Sequence, residues 1–441
     1  MALIELSPDQ PVTALAAPPA RRNRAVGLFV TAALLLALAG AVPAEAVVWL
    51  RTGLVPVSSG TDFQLAGGRL FTLEVTGGRR VTSAWTMRPL HRLWRAVTTA
   101  DDSFGGLAQG GSSVSVAGDF VLLRAGQTTT VLDAHTGAVR WSSPLPVVAL
   151  SETVGMVQQE QFKPGTEYDE SSGAPGALYF SSTGRPHTQP PLRTDLTGVD
   201  LATGRPVWVA PFPGSIYPAR ARGRKDAVLV VASDQIWLRS AANGKVLHSR
   251  PLPRAVDGGP SWGDVDGDLL LVRQASVVTA YTMAGLDRLW QRNEPDEQGN
   301  SATCAGLTCE KSRNDLVVLD PVTGRPSWRT SSQVDLLAAA GYALEVQLGQ
   351  SRPLRAVDPA SGVELVDLTG WQTFAVAPGN GPVVLSRRQA GQGFAFGVLL
   401  PGRRVVRALG VSRGPVTDCV ADTRFVACRA PTGIAVFTYA A

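Results

Sequence analysis

The nine residues DLATGRPVW, from Asp200 to Trp208, decide the fold because they return along the chain. DAHTGAVRW runs from Asp133 through Thr136 and Gly137 to Trp141, and DPVTGRPSW from Asp320 through Thr323 and Gly324 to Trp328. DPASGVELV, from Asp358 through Ser361 and Gly362, carries Val366 in the Trp place, and a fifth copy keeps Asn243 and Gly244 but ends in His248. Two more, AWTMRPLHRLW (84–94) and AYTMAGLDRLW (280–290), retain mainly the Trp end. Phrase ends at 94, 141, 208, 248, 290, 328 and 366, with a weaker one near Val406, give a period near forty. A repeat of that length is the mark of propeller blades with about four strands each.

The sequence around each phrase agrees. Short apolar runs such as Phe120 to Leu123, Ala227 to Val231, Leu269 to Val272 and Leu316 to Leu319 alternate with Gly, Asp and Asn turns, as strands do. Within the phrase, Asp can accept turn N–H groups, Gly supplies a positive φ, and Trp offers a large apolar face to bury between sheets. These residues, Asp133, Gly137, Trp141, Asp200, Gly204, Trp208, Asp320, Gly324, Trp328, Asp358 and Gly362, are expected to be structural. With 46 Gly, 31 Pro and 44% hydrophobic residues among 441, the chain reads as one large all-β body. The net charge of +5 comes from Arg scattered through every unit, with only four Lys, so no concentrated patch speaks for nucleic acid.

From Thr61 to Ala441 the chain resembles the quinoprotein-type propellers, whose repeat reads roughly Ala-x-Asp-x-x-Thr-Gly-x-x-x-Trp. Within that group it resembles the BamB-type outer-membrane assembly factors and other PQQ-like repeat proteins. The leading Ala is present only at Ala356, being Val131, Gly198 and Val318 elsewhere. The resemblance implies a scaffold, but quinone-dependent dehydrogenases share the repeat. Those enzymes would bring an adjacent Cys-Cys pair and an Asp base with calcium ligands, and the sequence shows neither. The expectation is a non-catalytic binding or assembly scaffold without cofactor or metal, with a PQQ/calcium-dependent dehydrogenase or other propeller enzyme as the alternative. Eight blades are expected, seven being the alternative, with the last sheet closed by the strand around His91 to Val97.

The N-terminus points to a membrane. Arg21, Arg22 and Arg24 precede an uncharged run from Ala25 to Val42, which at about 1.5 Å per residue falls just short of the bilayer core. Extension to Val48 would complete a span, and the Arg cluster would hold the N-terminus in the cytoplasm. The expected organisation is a cytoplasmic tail (1–24), a transmembrane signal anchor (25–48), a linker (49–60) and an extracytoplasmic propeller (61–441). A signal peptide cut after Ala44-Glu45-Ala46 is the competing reading. Cys304 with Cys309 and Cys419 with Cys428 each bracket a predicted hairpin turn, and an exported domain favours two local disulfides over a zinc site.

Other signals carry less. GPSWG (259–263) matches a nucleophile elbow but lies where a strand is expected, and Asp264, Asp266 and Asp268 read as a strand-joining turn or a calcium loop. The four His fall in different units. The one large departure from the period is the segment Glu160 to Arg193, which carries Glu167, Tyr168 and Asp169. It is either a disordered loop or the partner-binding element.

Overall fold

The computed structural model describes residues 48–99, 113–169, 171, 173, 176–221, 226–253, 262–274, 276–293, 303–312, 314–391 and 393–440. Among them the chain forms nine blades of antiparallel hairpin-linked strands. In order they are 62–99, 113–143, 147–213, 216–251, 262–293, 309–331, 334–367, 373–412, and 417–440 joined by the first strand, Val48–Val55. First strands of successive blades touch, as Ile216–Arg220 does Trp262–Asp266, so they line the centre while fourth strands face outward. Contact between Asp62–Ala66 and Thr417–Ala421 closes the ring.

Layering explains the sequence pattern. Middle strands are sandwiched between two neighbouring sheets, so Ala227–Ala232 is buried at every position and reads as an unbroken apolar run. The fourth strand Pro206–Pro213 shows one face to solvent and alternates exposed with buried. The fold class is thus all-β, as expected, but the count is nine rather than eight or seven.

The error lies in the closing strand. Leu90–Thr99 does not complete the last sheet; it pairs with Arg79–Met87 in its own blade, together with Asp62–Ala66 and Arg69–Thr76. Val48–Val55 closes the ninth blade instead, pairing with Gly433–Ala440 from Val48↔Ala440 to Val55↔Ile434. Residues 49–60, expected as a linker, therefore hold most of a propeller strand. VWLRTGLV follows an apolar stretch, and a short apolar run cannot be told from a helix end by periodicity. Trp49 stacks on Phe437 at 4.7 Å between ring centres, fixing the strand in place. The expected tail and all of the expected anchor except Val48 lie outside the described residues, among which no helix is long and apolar enough to cross a membrane.

Blades 6 and 7 share an irregularity. Blade 6 has three strands, Cys309–Lys311, Asp315–Leu319 and Pro326–Ser331. Cys304–Ala305, where its innermost strand belongs, crosses to blade 7 and pairs in parallel with Val334–Ala339 through Cys304↔Leu336. The Cys304–Cys309 disulfide therefore ties two blades rather than one hairpin. Cys419–Cys428 joins adjacent strands of blade 9, as expected.

Candidate functional site

The repeat phrase builds the seams between blades. In each complete copy the Asp Oδ1 accepts the Thr backbone N–H and hydroxyl three residues on, at 2.8 and 2.9 Å for Asp133 and Thr136. Asp200 and Asp320 repeat the pattern with Thr203 and Thr323, and Asp358 repeats it with Ser361. Arg140, followed by Thr136, holds the Asp133 carboxyl well below the ordinary carboxylate range. Hydrogen bonds from Thr323 and Ser361 lower Asp320 and Asp358 in the same direction. These carboxylates are hydrogen-bonded within their turns.

What the phrase holds is its neighbour. Each Trp reaches the turn of the following blade, where its indole N–H donates to the carbonyl just after the position of the repeat Asp. The acceptors are Ala134 for Trp94, Leu201 for Trp141, Ala241 for Trp208, Pro321 for Trp290 and Pro359 for Trp328, all at 2.8 to 2.9 Å. The ring lies over the turn glycine: a Cβ on Gly204 would come within 2.7 Å of Trp141, and one on Gly244 within 2.8 Å of Trp208. Positive φ and this close approach both demand Gly there. Sequence spacing shows Trp and Gly inside one phrase, and only the ring of blades shows that they meet across two.

The Glu160–Arg193 segment joins the second and third strands of blade 3 and is folded over its described residues. Tyr179–Phe180 pairs with Pro186–His187, and His187 stacks on Phe162 at 3.7 Å between ring centres. Thr166 is buried, with its hydroxyl 3.2 Å from His187 Nδ1. Of the expected partner-binding residues, exposed Glu167 lies 3.6 Å from Arg185. The Tyr168 hydroxyl donates to Gly173 O, and Asp169 accepts the Ser171 backbone N–H, which lowers its pKa. The more exposed apolar groups, Phe180 at 63% and Leu192 at 66%, were missed because neither stands beside a charge cluster.

Two cavities frame the candidate surfaces. One of about 840 Å³ opens between blades 5, 6 and 7, lined by Leu269, Met283, Leu307, Leu319, Pro321 and Pro359 among others. It lies at the end of the sheets carrying the repeat turns, beside the displaced Cys304–Ala305 strand. The other, about 370 Å³, sits at the opposite end, under the blade 3 insertion. Gln158, Glu160, Tyr179, Phe180, Thr194 and Tyr217 contribute to its lining. No group of three or more His, Cys, Asp or Glu able to hold a metal occurs among the described residues. Asp264 lies exposed within the first strand of blade 5 and Asp268 in the turn after it, the side chain of Asp266 falls outside the described residues, and the four His remain in separate blades.

Comparison with known proteins adds the following. Residues 192–355 match the family described as outer membrane protein assembly factor BamB. No curated protein matches. Among solved structures, BamB from Moraxella catarrhalis is 13% identical, with 89% of this chain and 97% of that one covered and a TM-score of 0.40. Sqt1 from Saccharomyces cerevisiae is 9% identical over 82% of this chain and 98% of its own, with a TM-score of 0.43. A europium-containing methanol dehydrogenase is 11% identical over 87% of each chain, with a TM-score of 0.37. At these values the structural likenesses carry no argument. The chain is a β-propeller of quinoprotein-type repeats, similar between residues 192 and 355 to the assembly factor BamB.

Proposed function

We propose that the protein is a binding scaffold that holds a protein or cell-envelope component and catalyses nothing itself. One observation carries the reading: the largest excursion from the repeat is folded over its described residues and carries two exposed apolar groups, Leu192 and Phe180, the second at the mouth of a cavity. Loops on a rigid framework are where recognition concentrates, and aromatic side chains are enriched at contact surfaces. The family match supports the same reading, since its description is that of an assembly factor. A tether through 25–47, ending where the strand Val48–Val55 begins, with the propeller outside the cytoplasm, is part of the proposal and rests on the Arg cluster and uncharged run of the sequence.

The test is capture from solubilised membranes by the full chain and by a chain lacking Gly165 to Pro190. The blade 3 ladder runs from Val154↔Asp200 to Gln161↔Arg193 and closes without the deleted residues, so the melting temperature should hold. Partner capture should weaken; if every partner is retained, the insertion is not the contact. Reduction of a dye by protein incubated with the quinone and calcium would overturn the non-catalytic reading. A reporter fused after Ala441 that is active only in the cytoplasm would overturn the topology.

A further inference from the structure

The smaller cavity has a defined origin and chemistry. The first strand of blade 3, Val147–Ala149, covers only part of the second, pairing with 155–157 and leaving Gln158 to Gln161 without a strand partner on that edge among the described residues. Gln158 and Glu160 stand on one face of the strand, and the gap beside them is walled by Ile216 and Tyr217 of blade 4. Tyr179 and Phe180 of the insertion complete the lining. Its volume of about 370 Å³ is at the low end for ligand sites and suits one side chain rather than a large molecule.

Charge gives the sign of the occupant. Glu160 is held in place by neutral donors: Ser182 N at 2.7 Å, Ser182 Oγ at 2.8 Å and Gln158 Nε2 at 2.6 Å. Asp264 of blade 5 is close enough to Tyr217 to raise its pKa, after burial, so a second negative charge acts on the same wall. Among the described residues, Arg193 is matched with Asp195 at 2.7 Å and Arg185 with Glu167 at 3.6 Å. Arg220 stands at the far end of the strand that begins with Ile216. A carboxylate flanked by three aromatic rings is an arrangement that attracts a cation by charge and through ring faces.

We propose that this cavity receives one basic side chain, lysine or arginine, from a protein partner. The inference rests on the scaffold reading and gives the partner's chemistry. It can be tested on the full chain in detergent with fluorescein-labelled tetralysine, tetraglutamate serving as the negative probe. Fluorescence anisotropy should show tetralysine binding that weakens as salt rises. Affinity should fall about tenfold in Glu160→Gln, the scale of one lost charged hydrogen bond. It should also fall in Phe180→Ala, whose exposed position leaves the fold intact, and be unchanged in Glu152→Gln at the other end of the sheet. Equal binding by wild type, Glu160→Gln and Phe180→Ala overturns the proposal. So does competition by choline but not by N-acetyl-lysinamide, which would indicate a lipid headgroup. If deletion of Gly165 to Pro190 abolishes partner capture while Glu160→Gln leaves tetralysine binding intact, this inference fails and the scaffold reading stands. If tetralysine binding follows Glu160 but no partner is captured, the scaffold reading fails alone.

Discussion

The seam between blades 3 and 4 and the seam between blades 4 and 5 solve one packing problem in two ways. In the first, buried Trp208 lies over Gly244 and donates to Ala241 O. In the second, exposed His248 stands in the Trp place, and the turn position of Gly is taken by Leu286, fully buried at φ +59°. Leu286 packs with Leu252, Tyr281 and Met283, filling space that an indole fills elsewhere. Arg250 supplies the polar link, its guanidinium donating to Leu286 O at 3.2 Å and lying 6.0 Å from the Tyr281 ring centre. Trp and Gly therefore form one device spanning two blades. Where the Trp is lost, the Gly is free to go even though the backbone keeps its left-handed turn.

Changes at these seams should sort by that device. Trp208→Ala should have the largest effect, about 3–5 kcal/mol, because it removes a buried ring and its hydrogen bond; denaturant unfolding would measure it. Gly244→Ala should follow at about 2–4 kcal/mol, from the clash with Trp208 plus the strain of a Cβ at positive φ. The two should not add. In the double variant the alanine at 244 has lost the ring it strikes, so its cost should shrink toward about 1 kcal/mol. Full additivity would break the claim that the pair is one unit. Gly402→Ala is the control: φ is +72° but nothing lies near the added Cβ. It should cost only about 1 kcal/mol.

The smallest effect is on pH dependence. Asp133, Asp320 and Asp358 have folded-state pKa values below their unfolded ones, so their stabilisation is present above about pH 4. It is lost as pH falls through the folded-state values. Melting temperature should be flat from pH 7 to 5 and drop below 4, and Asp358→Asn should flatten that drop slightly. An Asp358→Asn curve falling more steeply than wild type would contradict the sign.

The repeat made the architecture legible because turn chemistry and apolar runs are local. Asp133 with Thr136 and the buried run Ala227–Ala232 could be read directly. Two things could not. Val48–Val55 finds its sheet only through Gly433–Ala440, so its role depends on a partner far along the chain, and the blade count failed with it. The displaced Cys304–Ala305 strand was hidden for the same reason, since the partner of a two-residue strand is set by the surrounding blades. At the candidate site, the long interval flagged Glu160 to Arg193 as an element. Its working face, with Glu160, Tyr179 and Phe180, faces Tyr217 of another blade and is invisible to spacing.

The closing strand also sets an order of events during synthesis. Thr52 and Thr438 share a hydrogen bond of 2.8 Å across 386 residues, and the strands that bear them are neighbours in the last sheet. Val48–Val55 must wait for the hairpin of residues 425–440 before its backbone groups are paired. Until then a ladder of open donors and acceptors stands at each end of an unclosed ring, which is the geometry that invites pairing with another chain. Late, non-local closure of this kind is slow. It makes the hairpin of residues 425–440, rather than any blade in between, the step at which the ring loses its open edges.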